Sequence, residues 1–142
     1  MTGRYEYFIN LEPQAWQRVK RSRTGIAYVP SETRVFKSAF GKLSKQKCSQ
    51  PLEGPLHLTV VFFLKPLKRK KKGQELPCVR PDLDNFVKAV KDGGNGVLWN
   101  DDSQVCLLTT GKYYAESVDK VGIFVRLETM TDDRPFNWLR AR

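Results

Sequence analysis

Long hydrophobic runs are missing from this sequence. No stretch approaches the ~20 apolar residues that a membrane-crossing helix requires, and Met1-Thr2-Gly3-Arg4-Tyr5 is not followed by the apolar segment of a secretion signal. The expectation is a soluble, cytoplasmic protein. Cysteine is scarce as well. Cys48, Cys78 and Cys106 are odd in number, far apart and never in a C-x-x-C spacing, which argues against a disulfide framework and against structural zinc. Three reduced thiols, mostly buried as small hydrophobes, are expected instead. Histidine occurs once, at His57, inside a Val- and Phe-rich stretch. A structural role suits that position better than a catalytic one.

Acidic residues are few in the first half of the chain. Residues 1–80 hold 17 Lys/Arg against five Asp/Glu, a net of +12, whereas residues 81–142 hold eight against ten, a net of −2. A polyanion is therefore drawn to the first half, and carboxylates concentrate in the second. The overall charge is +10 over 142 residues. With 40% hydrophobic and 11% aromatic residues the chain can bury a core, and its length fits one domain spanning 1–142.

Periodicity supplies the elements. Tyr5, Tyr7, Ile9 and Leu11 alternate with Glu6, Phe8 and Asn10 as in a half-buried strand. A basic loop follows, with Arg18, Lys20, Arg21 and Arg23, and Ala27 to Val29 forms a short strand. Ser31 is placed to cap a helix running to about Gln46, with Val35, Phe36, Ala39, Phe40 and Leu43 on its apolar face. Leu56 to Leu64 is the next strand. Lys65 to Arg80 is a loop or hairpin extension built around Lys68-Arg69-Lys70-Lys71-Lys72. A charge run of this kind is commonly a solvated surface, but this one leads directly into an acidic motif. A short helix should start near Asp84 and stop near Gly93-Gly94. Val105 to Tyr114 and Lys120 to Glu128 then read as strands, and the short Ala115 to Asp119 connection suits an antiparallel hairpin. Residues 131–142 form a charged tail with Phe136 and Trp138 as anchors.

The chemistry lies in Arg80-Pro81-Asp82-Leu83-Asp84-Asn85-Phe86-Val87-Lys88 and Asn100-Asp101-Asp102-Ser103-Gln104-Val105. Pro81 favours an extended approach, in which Asp82 and Asp84 point the same way. Asp84 is suited to cap the following helix. Asp84, Lys88 and Asp92 are spaced by four and share a helix face. Asp101 and Asp102 open the next strand, and if that strand lies beside the motif one of them joins the cluster. Taken singly these are an ordinary cap, an ordinary turn and a surface aspartate. Together they describe carboxylates that repel unless a cation lies between them. Mg²⁺, with Mn²⁺ as substitute, prefers oxygen ligands and commonly takes one or two carboxylates plus water and phosphate. Lys88 adds a positive charge near that phosphate. A calcium loop is excluded because Phe86 and Val87 stand where an EF-hand needs an oxygen ligand and a glycine. Gly93-Gly94-Asn95-Gly96 follows a helix and lacks the P-loop lysine.

The combination resembles the RusA family of Holliday junction resolvases of bacteria and their phages. The resemblance rests on Arg80-Pro81-Asp82-Leu83-Asp84-Asn85, Lys88-Ala89, Asp92, Gly96-Val97-Leu98 and Asn100-Asp101-Asp102-Ser103-Gln104-Val105, and extends over residues 4 to 129. It implies a single α/β (α+β) domain with helices packed on a mixed sheet, and a homodimer with two active sites, a two-fold enzyme for a two-fold substrate. It further implies Asp82, Asp84, Lys88 and Asp102 as catalytic residues and Asp92 and Asp101 as secondary acidic positions. The activity expected is Mg²⁺-dependent resolution of four-way DNA junctions by paired nicks that a ligase can seal, with Asp82, Asp84 and Asp102 as metal ligands. Arg18, Lys20, Arg21, Arg23, Lys68, Arg69, Lys70, Lys71, Lys72 and Arg80 are the expected DNA contacts. The rivals are a broader flap or duplex nuclease, a non-catalytic junction-binding protein, and an RNA-binding protein. The last needs stacking aromatics among its basic residues, and the Lys68–Lys72 run has none.

Overall fold

In the computed structural model, residues 3–69 and 72–131 are described. Lys70, Lys71 and the tail anchors Phe136 and Trp138 lie outside them. The centre of the structure is β4 (Leu56–Leu64), nine residues of almost wholly apolar character. Leu56, Leu58, Val60 and Phe62 have no solvent exposure. β6 (Gly122–Thr129) lies antiparallel to β4 on one side, and β5 (Val105–Tyr114) lies parallel to it on the other. β1 (Arg4–Ile9) closes the sheet against β6, giving the order β1-β6-β4-β5. One row runs through Tyr7, Val125, Val60 and Thr110. Along the strand expected from Lys120 to Glu128, the alternating Val121, Ile123, Val125 and Leu127 are all buried.

Two helices complete the core. α1 (Ser31–Lys47) contributes Phe36 and Phe40, and α2 (Leu83–Gly94) contributes Phe86, Val87, Ala89 and Val90. The Phe62 and Phe86 rings stack at 5.2 Å. The Tyr7 hydroxyl donates to Ser44 Oγ at 2.7 Å, tying sheet to helix inside the core. Around α2 two glycines sit in close quarters. A Cβ on Gly41 would lie 3.2 Å from the Gly93 carbonyl, and one on Gly94 only 2.7 Å from the Trp99 ring. Gly93-Gly94 thus closes the helix packing from within α2, and the left-handed residue is Gly96, at φ +80°.

The mixed sheet with helices on it is the expected α+β domain. Several local expectations are corrected. β5 and β6 form no hairpin, because the most apolar strand takes the centre and separates them. The connecting segment, with a 3-10 turn at Val118–Lys120, instead passes the end of β4, where the Ala115 amide donates to the Leu64 carbonyl. Ser31 begins α1 but makes no cap; Pro30 holds that position. Val35 is 67% exposed, since the buried stripe of α1 follows Phe36, Phe40 and Ser44. The basic loop contains a small antiparallel pair, β2 (Lys20–Arg21) with β3 (Ala27–Tyr28), turned at Gly25. Of the cysteines only Cys48 is buried; Cys78 and Cys106 are exposed. His57 bonds Thr109 Oγ1 at 2.9 Å across β4 and β5, a structural tie.

Candidate active site

α2 is the crossover between the parallel strands β4 and β5, and both acidic segments flank it. Helical geometry begins at Leu83, so Asp82 is the N-cap and Asp84 lies in the first turn. The expectation that Asp84 caps the helix is corrected accordingly. So is the argument from an extended pair, since only Asp82 retains extended backbone (φ −68°, ψ 147°). The Asp82 carboxylate makes no capping hydrogen bond. The approach to it is pinned from the sheet, where Lys112 Nζ donates to the carbonyls of Val79 (2.8 Å) and Pro81 (2.9 Å).

Asp84, Asn85, Lys88, Lys91 and Asp92 on α2, together with Asp102, line one open cleft of about 440 Å³. The acidic residues expected from two separate stretches of chain therefore share a surface. Asp82 lies outside that lining, and among the described residues no three His, Cys, Asp or Glu side chains are close enough together to form a ready-made metal cage. The donor set nevertheless suits a hard cation. Asp84, Asp92 and Asp102 are carboxylates, the cleft holds no Cys or His, and Mg²⁺ commonly needs one or two carboxylates besides water and phosphate.

Asp101 and Asp102 are adjacent but differently engaged. Asp102 opens a 3-10 turn (Asp102–Gln104) rather than a strand. Asp101 caps this turn, accepting from the Ser103 amide at 3.1 Å and from the Ser103 hydroxyl. Those bonds, the hydroxyl's first, hold its carboxyl below the ordinary value, with a smaller contribution from Lys91. Gln104 fixes the turn to the body of the protein. Its Oε1 accepts from the amides of Asn100 (2.8 Å) and Asp101 (3.1 Å), and its Nε2 donates to the carbonyls of Leu52 and Gly54, both at 3.0 Å. Asp102 is left with no side-chain hydrogen bond or ion pair among the described residues and faces the cleft.

Lys88 is exposed, and its ammonium sits 3.8 Å from the centroid of the Trp16 ring. Sequence reasoning missed Trp16 because nothing local to either residue announces a contact across so many positions. It also missed Lys91, which the helical spacing from Asp84 and Lys88 does signal. Of the expected DNA contacts, Arg18, Lys20, Arg21, Arg23, Lys68, Arg69, Lys72 and Arg80 are all exposed. Arg34, Lys37, Lys42 and Lys45, off the apolar face of α1 and not among the expected DNA contacts, line a groove of about 480 Å³ that shares Asp92 with the acidic cleft.

Carboxylates for a cation, a lysine for a phosphate and a cationic approach are what phosphodiester cleavage asks of a protein surface, so fold and cleft point to a nuclease. A family profile described as "Endodeoxyribonuclease RusA" matches residues 10–128, and the chain belongs to that family. It is also similar to "Uncharacterized protein YqaN" of Bacillus subtilis (strain 168), at 32% identity over 130 residues, covering 81% of this chain and 90% of that protein. Among the described residues no helix is long and apolar enough to cross a membrane.

Proposed function

We propose that this endodeoxyribonuclease resolves four-way DNA junctions by Mg²⁺-dependent paired nicking, as a homodimer in the cytoplasm of a bacterium or phage-infected cell. The observation that carries the reading is the shared cleft, in which Asp84 and Lys88 of α2 meet Asp102 of the following turn. Asp84 and Asp102, which share the cleft, would hold the ion, and Asp82, at the start of the same helix, would join them as a third ligand. An ion held by these carboxylates would supply polarisation of the scissile phosphodiester and a lowered pKa for the attacking water. Asp102 is held for this by the Gln104 brace, and Asp101 is occupied as its cap. Lys88 supplies a fixed positive charge beside the phosphate, where negative charge grows in the transition state. Junction geometry supports the dimer, because two nicks of like polarity call for two sites related by a two-fold axis.

The test is cleavage of a synthetic mobile four-way junction, with and without Mg²⁺, in competition with linear duplex. Wild type is expected to cut the junction only with Mg²⁺ or Mn²⁺. Asp84→Asn should lose about a thousandfold in rate, a loss typical of removing a transition-state stabiliser. It should bind the junction as well or better, since a negative charge facing phosphate has gone. Equal cutting of linear duplex would transfer the reading to a broader nuclease, and Mg²⁺-independent binding without cleavage would sink it.

A further inference from the structure

Lys88 has a carboxylate four residues away on each side, Asp84 and Asp92, and all three line the same cleft. On a helix, that spacing ordinarily gives ion pairs. Neither forms: among the described residues Lys88 makes no ion pair. Its ammonium lies instead over the Trp16 ring. The ring is held in place from two directions. The Trp16 amide donates to the Asn85 carbonyl on the first turn of α2 at 2.9 Å, and the side chain packs, half-buried, against the core.

We propose that Trp16 is a positioning residue that draws the Lys88 ammonium away from Asp84 and Asp92, keeping those carboxylates open to a divalent cation and the lysine available to a phosphate. An ammonium paired with Asp84 competes with the metal for the same oxygens and loses its own reach. An aromatic face attracts the charge without consuming a carboxylate. The segment carrying Trp16 runs straight on to the basic pair β2–β3, so DNA held there lies in the same stretch of chain that sets the lysine. This inference rests on the nuclease reading of the cleft.

The experiment is a double-mutant cycle on the full chain, read by Mn²⁺ affinity in calorimetry and by the Lys88 ε-methylene proton shift in NMR. Neither readout requires cleavage. In wild type the ring should shift the ε-methylene protons upfield, and Trp16→Leu should abolish that shift. Trp16→Leu should also weaken Mn²⁺ binding about two- to fivefold, the equilibrium factor expected for a contact of this class. Adding Lys88→Met to Trp16→Leu should restore the affinity, which loss of structure could not do. Trp16→Phe, which keeps a π-face and the packing, should stay close to wild type in both readouts. The inference is overturned if Trp16→Leu leaves shift and affinity unchanged, or if the double variant binds Mn²⁺ no better than Trp16→Leu. Those results leave the nuclease reading standing as long as wild type cuts junctions. If wild type cuts no junction while the cycle behaves as described, it is the nuclease reading that fails, and Trp16 keeps its role at the cation site.

Discussion

Cys48, Tyr7 and Ser44 show how burial changes single residues. Tyr7 is 8% exposed and Cys48 3%. Desolvation raises the Tyr7 phenol well above its ordinary value, and it pushes the Cys48 thiol from 9.0 up to about 11 against a lowering by the Tyr7 hydroxyl. An unfolded chain releases the thiol proton near 9.0, while the native protein keeps it until about 11. Between those values the native state binds more protons, so stability falls as pH rises through the interval. Tyr7 acts in the same direction at higher pH. Urea titrations at a series of alkaline pH values should show this decline. A thiol-reactive disulfide reagent at neutral pH should modify Cys78 and Cys106 quickly and Cys48 only on unfolding. Rapid reaction of all three in the native protein would contradict the buried position of Cys48.

At the scale of elements, the turn that presents Asp102 is capped by Asp101 and braced to the body of the protein by Gln104. Gln104 makes four hydrogen bonds, two to amides of its own turn and two to carbonyls of the Leu52–Gly54 segment. Its replacement by Ala is expected to cost about 2 kcal/mol in urea unfolding, less than four full bonds because parts of the network are exposed to water. Junction cleavage should fall further than that loss of stability accounts for, as Asp102 loses its setting. An unchanged midpoint with full activity would show the brace to be dispensable. Much at this scale was legible in the sequence. The alternation in β6 and, apart from Val35, the stripe of α1 report which residues face the core, and burial is what periodicity encodes. The neighbour of each strand is a different matter. Whether β6 pairs with β5 or with β4 depends on competition for the sheet centre, which Leu56–Leu64 wins through its continuous apolar character. That Asp84, Lys88 and Asp102 share a surface was legible because they stand in two short motifs; Asp82, read with them, lies outside the cleft lining. The ring over Lys88 and the basic face of α1 beside Asp92 were not, since both depend on how distant segments pack.

Across the whole molecule, charge is arranged in two regions. Arg34, Lys37, Lys42 and Lys45 of α1 line a groove that shares Asp92 with a cleft whose own lining holds three aspartates and two lysines. If ~6 phosphates are neutralised, junction affinity should weaken about a thousandfold between 50 and 200 mM salt. Lys42→Glu, on the α1 groove, should weaken binding across DNA sequences alike and reduce the slope of log affinity against log salt by about one. Fluorescence anisotropy over a salt series measures both. A slope near zero in wild type would mean that the basic surfaces do not meet phosphate.

The crossover from β4 through α2 to β5 carries every acidic residue of the cleft on one continuous piece of chain. The Lys68–Lys72 loop is an excursion within that crossover, upstream of its aspartates, and the β2–β3 segment precedes it. Selection can therefore lengthen, shorten or recharge those loops, altering which DNA shapes are gripped, without displacing an aspartate. On the function proposed above, recognition and chemistry would be inherited on separable parts of the same small protein.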